Sequence, residues 1–345
     1  MMTASYESWF TRFYYKVKPL VPRRLRWALR RKRASGILER NNGTWPINEA
    51  ASAVPVGWPG WPKGKRFALV LTHDVESGEG LKKVRNLAEL EQGFGLRSSF
   101  NFIPRGGYRV TDDLRAWLTE GGFEVGVHDL HHDGKLYESR KSFRTKACLI
   151  NAHLRKWGAV GFRSGFMLRQ LDWLHDLDTE YDASTFDTDP FEPQPDGCRT
   201  IFPFFVPDRG GAPGAGYVEL PYTLAQDSTL FLLLGERTVD IWLRKLNWIA
   251  EHGGLALVNI HPDYMDFHRS DFAQYRYPAS LVEEFLDDVT RRYEGEFWNP
   301  LPRELAQWFR GRWPAPPAQV LPENEKAQVR PIIDSPSAAR TPPQS

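Results

Sequence analysis

From Arg66 to Tyr293 the chain alternates short apolar runs with amphipathic stretches, and this alternation constrains the fold more than any other feature. "RFALVLTHD" reads as a strand and "LKKVRNLAELEQ" as a helix. Strand "RSSFNFIP", helix "TDDLRAWLTE", strand "FEVGVH", helix "SFRTKACLINAHLRKW" and strand "AVGFRS" follow. A helix around "LDWLHDLD", strands at "DASTFD" and "YVELPY", helix "TVDIWLRKLNWIAEH", strand "GLALVNIHP" and helix "SLVEEFLDDVTRRY" complete the series. Repeated strand–helix alternation dictates a parallel sheet, either closed into a barrel or doubly wound. No Gly-x-Gly-x-x-Gly follows the first strand, and "GEG" at Gly78–Gly80 is too short for a dinucleotide fingerprint, so the barrel is the expectation.

The two ends differ from this body. Met1 to Arg40 carries eleven Lys or Arg against Glu7 and Glu39, a local charge of +9; the chain's net charge is +2, which leaves −7 for the remainder. That split describes a basic arm on a mildly acidic body and argues against a nucleic-acid-binding domain. Residues 1–64 form the arm and a Trp/Pro-rich linker, with Trp9, Phe10, Phe13 and Tyr14 at helical spacing. Arg23, Arg26, Arg30 and Arg33 lie along one face of a second helical pattern. Such a helix either rests on an anionic membrane surface or packs on the body with its arginines in water. Trp45, Trp58 and Trp61, each followed by proline, belong to an extended segment whose rings either pack on the body or stack on sugar. Residues 65–313 hold the alternating strand–helix body. Residues 314–345, with eight prolines, read as a disordered tail.

Only Cys148 and Cys198 are present, which excludes a disulfide framework and a cysteine metal site. No apolar run is long enough to span a membrane, and no signal-peptide core precedes Gly36. A cytoplasmic protein is the default expectation, with peripheral membrane contact through the arm as the alternative to an arm packed on the body.

Three predicted strands end in groups suited to chemistry. The first ends in "THDVE", the third in "VHDLHHDG" with His128 and His132 four apart, and a late one in "NIHP" at His261. A barrel presents the C-terminal ends of its strands on one face, so groups distant in sequence converge there. A His pair at this spacing, if helical, aims both imidazoles at one divalent ion; a carboxylate from another strand completes a two-His, one-carboxylate site with room for water. That donor set fits Zn²⁺, Fe²⁺ or Co²⁺ and does not by itself choose among them; Zn²⁺ is the first expectation. Taken singly, each piece also reads as polar loop surface; the case rests on finding three at three strand ends.

The order of "LTHDVE", "VHDLHHDG", "GFRSG" and "LVNIHP" resembles the polysaccharide deacetylase family, metal-dependent deacetylases of the carbohydrate esterase family four type, across roughly residues 66–309. The resemblance implies a distorted (β/α)7 barrel, one divalent metal and removal of acetyl groups from N- or O-acetylated sugars. It implies Asp74 as general base, His128 and His132 as metal ligands, Arg163 as the arginine that orients the base, and His261 as general acid.

Three departures stand out. Val75 occupies the place of the family's metal aspartate, and Glu76 is its substitute, since positions 74 and 76 of an extended chain face the same side. Ser164 and Gly165 follow the arginine where a proline is usual. Asn259 stands where a leucine lines the acetyl pocket. The expected function is therefore a sugar N-deacetylase of cell-surface or exopolysaccharide biosynthesis, with a degenerate glycan-binding barrel or an amidohydrolase of a non-sugar C–N bond as alternatives. A His-Asp phosphohydrolase is disfavoured because that chemistry is built on helices, whereas these histidines follow β-rich runs.

Other polar residues carry weaker expectations. His73 should point opposite Asp74, and His131 away from the metal. Asp129 and Asp133 either orient the histidines or are solvated. Tyr181, Asp182 and Ser184 near another strand end are candidates to touch substrate, and "STFDTDPFEPQP" and "ELPYT" with Tyr222 are candidate groove walls. Cys148 is expected in the core and His268 on the surface.

Overall fold

The structure, a computed structural model, describes residues 23–312 except 209, 213 and 274, with side chains from residue 30 onward. The helical pattern at Trp9 to Tyr14 and the proline-rich tail lie outside the described residues. From Trp27 on, the described residues belong to one compact unit.

Strand β1 (Phe67–Val75) is buried along its whole length and has parallel neighbours on both sides. On one side lie β2 (Ser98–Phe102), β3 (Glu124–His128), β4 (Gly161–Arg163) and β5 (Tyr181–Asp182) in turn. Then comes β7 (Gly216–Glu219), with β6 (Phe204–Pro207) antiparallel at its edge. On the other side lies β8 (Leu255–Ile260). Two isolated bridges, Phe186 to Tyr222 and Leu224 to Val258, carry the chain beyond β7 across to β8, so the curled sheet meets itself as a distorted barrel. Strands β9 (Met265–Asp266) and β10 (Tyr277–Pro278) form a separate small sheet, and β11 (Phe297–Trp298) pairs with the start of β1.

Helices cover the outside. They are α1 (Arg23–Arg40), α2 (Gly78–Gly93), α3 (Asp112–Glu120), α4 (Arg140–Trp157), the single turn α5 (Leu171–Leu174), α6 (Asp240–His252), α7 (Ser280–Arg292) and α8 (Pro302–Arg312). Local chemistry sets their bounds. Ser77, Thr111 and Ser139 cap α2, α3 and α4 by accepting from backbone N–H groups in the first turn. Gly158 ends α4 at φ 62°, a left-handed angle that glycine takes without a Cβ penalty. On α4 the buried face is Phe143, Ala147, Ile150 and Leu154, a helical stripe that leaves Cys148 exposed rather than in the core as its sequence context suggested.

Two elements are shorter than the sequence implies. The helix expected over "LDWLHDLD" ends at Leu174, because Asn151 of α4 brackets the segment just beyond it. Its Nδ2 donates to the Asp176 carbonyl at 2.9 Å and its Oδ1 accepts from the Asp178 N–H at 2.9 Å. The strand expected over "DASTFD" is only Tyr181–Asp182, since Ser184 and Thr185 turn to bond side chains.

The linker tryptophans are structural. Trp61 stacks on Trp308 of α8 at 5.3 Å, Trp58 meets Phe202 at 5.0 Å, and Trp45 is buried against Phe191. Each ring buries enough apolar surface to contribute on the order of 2–3 kcal/mol. None of the three is left as an open sugar platform.

Candidate metal and acid–base site

The carboxyl ends of β1, β3, β4 and β8 converge, and they bring together Asp74, Glu76, His128, His132, Arg163 and His261. Asp74 is buried in β1, in register with Asn101 of β2. Its Oδ1 accepts from Asn101 Nδ2 at 3.0 Å and lies 3.4 Å from Arg163 Nη1; its Oδ2 accepts from Asn259 Nδ2 at 2.8 Å. Burial alone would raise its pKa, but the charges of His128, Arg163 and His261 and the Asn101 bond outweigh that and hold the carboxyl well below its ordinary range. Arg163 has no exposed surface and is itself fixed by Thr72 Oγ1 at 2.8 Å and the Ala183 carbonyl at 2.7 Å.

Glu76 is the first residue past β1. Val75 points into the apolar core, so Asp74 and Glu76 emerge on the same side. Glu76 Oε1 lies 3.2 Å from His132 Nε2 and 3.8 Å from His261 Nε2, while Oε2 accepts from the Tyr264 hydroxyl at 2.9 Å. Burial works to raise this carboxyl, yet the His132 hydrogen bond and the neighbouring imidazoles lower it to about 2.

His128 ends β3. Its Nδ1 lies 3.1 Å from the Arg163 carbonyl, an acceptor, so Nδ1 carries the proton. Nε2 is then a bare lone pair, buried and without a partner. Burial chiefly lowers its pKa, which favours the neutral, ligating form. His132 reaches the same place by a different route from the expected helix. The loop after β3 turns through left-handed backbone at Asp129 and His132, both at φ 54°, and this folds His132 back over His128 with ring centroids 4.8 Å apart. One ligand atom from each of Glu76, His128 and His132 lies within 4.8 Å of the others. An orphaned imidazole lone pair facing a second imidazole and a carboxylate is a donor set that fits one divalent cation.

His261 follows β8. Its Nδ1 is 2.6 Å from Asp227 Oδ1, and Asp227 Oδ2 accepts from the His261 N–H at 2.9 Å and the Tyr277 hydroxyl at 2.7 Å. Burial opposes the charged imidazole, but Asp227, aided by Glu76 and Asp74, raises its pKa to about 10.

Two of the departures acquire physical reasons. A Cβ at Gly165 would lie 2.5 Å from Asp129 Oδ2 and 2.8 Å from His132 Cδ2, so the folded-back loop excludes a larger residue there. Phe166, left-handed at φ 58° and 46% exposed, stacks on His132 at 4.4 Å. Asn259 turns its amide to Asp74 and to Gln226 Oε1, the latter at 3.0 Å.

The remaining candidates fall elsewhere. His73 is buried against Phe100 with Nε2 2.8 Å from Glu91 Oε1, and His131 and His268 are exposed. Asp133 is an exposed turn acceptor for the Lys135 N–H, and buried Asp129 accepts from the Leu130 N–H. Tyr181 bonds Glu124 at the start of β3, far along the strand from His128. Asp182 and Ser184 brace Ser164, which adjoins Arg163. Tyr222 is buried between Asp189 and Glu192, its hydroxyl shared as donor between Asp189 Oδ2 and Glu192 Oε1, each at 2.8 Å. Sequence reasoning missed Asp227, Asn101 and Tyr264. Asn101 alone had a signal, as a lone amide in the buried run "SSFNF" beside Asp74.

No family profile matches the sequence, and no curated protein does. Solved structures do. A candidate polysaccharide deacetylase from Mycobacterium smegmatis superposes with a TM-score of 0.58 at 18% identity, covering 79% of this chain and 98% of its own. The peptidoglycan deacetylase PdaC from Bacillus subtilis gives 0.42 at 13% identity over 73% and 99%. A carbohydrate esterase family four pseudoenzyme from Bacillus anthracis gives 0.43 at 14% over 71% and 66%. The last two resemble the chain in outline alone. The chain therefore shares its fold with the polysaccharide deacetylase structure from Mycobacterium smegmatis.

Proposed function

We propose that this protein is a metal-dependent hydrolase that removes acetyl groups from an N-acetylated sugar. The observation that carries the reading is the meeting of Glu76, His128 and His132 around one point, with Asp74 and His261 beside it. Glu76, His128 and His132 would hold a divalent cation, Zn²⁺ before Fe²⁺ or Co²⁺, which when bound would supply a water of pKa near 7 and polarise the acyl oxygen. Asp74, ionised and held by Arg163, Asn101 and Asn259, takes the proton of the attacking water as its oxygen bonds to the acyl carbon. His261, kept protonated by Asp227, gives its Nε2 proton to the nitrogen as the C–N bond breaks. Acetic acid and a free amine leave, the acid passing its proton to the amine or to solvent, and the proton held by Asp74 is released to restore His261 through solvent. The test is acetate release from a panel of N- and O-acetylated sugars. His261→Ala should lower turnover by about 10²–10⁴-fold while keeping the metal, whereas His128→Ala should lose both. A purified protein that binds metal yet cleaves no acetylated sugar on the panel would refute the assignment.

The substrate is proposed to belong to cell-surface or exopolysaccharide biosynthesis, met by a cytoplasmic, membrane-peripheral enzyme. Arg30, Lys32, Arg33 and Arg40 of α1 are exposed, while Arg31 ties the helix to the body through the Leu232 carbonyl at 3.2 Å. No helix among the described residues is long and apolar enough to cross a membrane. Each basic residue at an anionic surface contributes about 1 kcal/mol, so Lys32→Glu with Arg33→Glu should weaken binding to phosphatidylserine vesicles by tenfold or more. Vesicle binding equal to wild type would contradict the contact.

A further inference from the structure

Glu76 poses a mechanical problem. It lies just beyond the last ladder residue of β1 and carries one more methylene than an aspartate, so its carboxylate has an extra torsion to sweep through. The turn after the acid histidine solves it. Pro262–Tyr264 is a 3₁₀ turn that follows His261 directly and lies over the exit of β1. Asp263 Oδ2 accepts from the Glu76 N–H at 3.0 Å, and its Oδ1 accepts from the Ser77 hydroxyl. Tyr264 then donates to Glu76 Oε2 at 2.9 Å, which leaves Oε1 as the oxygen facing His132 and His261. On the far side of the strand end, the Tyr108 hydroxyl donates to the Val75 carbonyl.

The seat for this turn is specific. A Cβ on Gly80 would occupy the space of the Asp263 carboxylate, so the first turn of α2 admits Asp263 only because residue 80 is glycine. Lys83, one turn further along α2, donates to the Asp263 and Met265 carbonyls at 3.1 and 2.8 Å and fastens the turn from the other end.

We infer that Asp263 and Tyr264 are positioning residues for the metal centre: they fix the backbone and the non-ligating oxygen of Glu76, so that the carboxylate displaced by Val75 presents a single oxygen to the cation. The inference rests on the proposed metal site. It also ties that site to the general acid, because one segment, His261 to Tyr264, carries the acid and aims the ligand.

Zinc affinity of the purified full chain, measured by competition with a chromophoric chelator, tests this without reference to activity. Partners of metal ligands are worth about 10–100-fold in affinity, so Tyr264→Phe should weaken zinc binding at least tenfold, with the melting temperature of the metal-free protein unchanged. Gly80→Ala should do the same by displacing Asp263. In a Glu76→Asp background, whose carboxylate falls short of the hydroxyl, adding Tyr264→Phe should change affinity less than twofold. Wild-type affinity in Tyr264→Phe, or an equal loss in both backgrounds, would overturn the inference. Wild-type affinity in Glu76→Ala would instead overturn the metal site on which it rests.

Discussion

The roles proposed for Asp74 and His261 call for opposite charges, and their partners supply them. Asp74 is ionised because three donors and nearby cations stabilise its carboxylate against burial; His261 is protonated because Asp227 grips Nδ1. The direction of each shift sets its pH dependence. A depressed carboxyl gives stability that is complete above its ordinary pKa and is lost as pH falls through the lowered value. A raised imidazole gives stability that is complete below about 6.5 and lost as pH rises through the raised value. Turnover that uses the imidazolium as acid must therefore fail on the alkaline side. That limb should lie above 6.5 and below 10, because a cation on Glu76 offsets the part of the rise that Glu76 supplies. Asp227→Asn removes the leading stabilising partner, so a pH–rate profile should show the limb moving to lower pH by a unit or more, with metal content retained. An unmoved limb would mean that another group sets it.

Among the elements, strand and helix periodicity was legible wherever an element is long and one-sided. β1, β3, β8, α2, α4, α6 and α7 lie where alternation and amphipathicity put them, because burial of a face is what both patterns encode. α5 and β5 were overstated, since Asn151 binds the backbone just past α5, and Asp182 and Glu219 accept from the Ser184 and Thr185 N–H groups, side-chain bonds that periodicity does not encode. The site divides the same way. Asp74, His128 and His261 end apolar strands and announce themselves. The path of His132 could not be read, because it depends on left-handed angles at Asp129 and His132 and on the absent Cβ of Gly165. Asp227 and Tyr264 lie beyond strand ends, in segments with no periodicity, and only the folded chain shows that they touch His261 and Glu76.

For the whole molecule, the closure of the sheet through Leu224 and β8 is what matters. It sets β8 beside β1 and so places His261 next to residues nearly two hundred positions earlier. Everything proposed for the chemistry depends on the three ligand atoms sharing one ion. The direct measurement is elemental analysis of the purified protein beside a Glu76→Ala/His128→Ala/His132→Ala variant, each after dialysis against zinc and removal of loosely held metal. The account predicts about one divalent ion per wild-type chain and none in the triple variant, with both still folded by circular dichroism. A metal-free wild type, or equal metal in both, would contradict it.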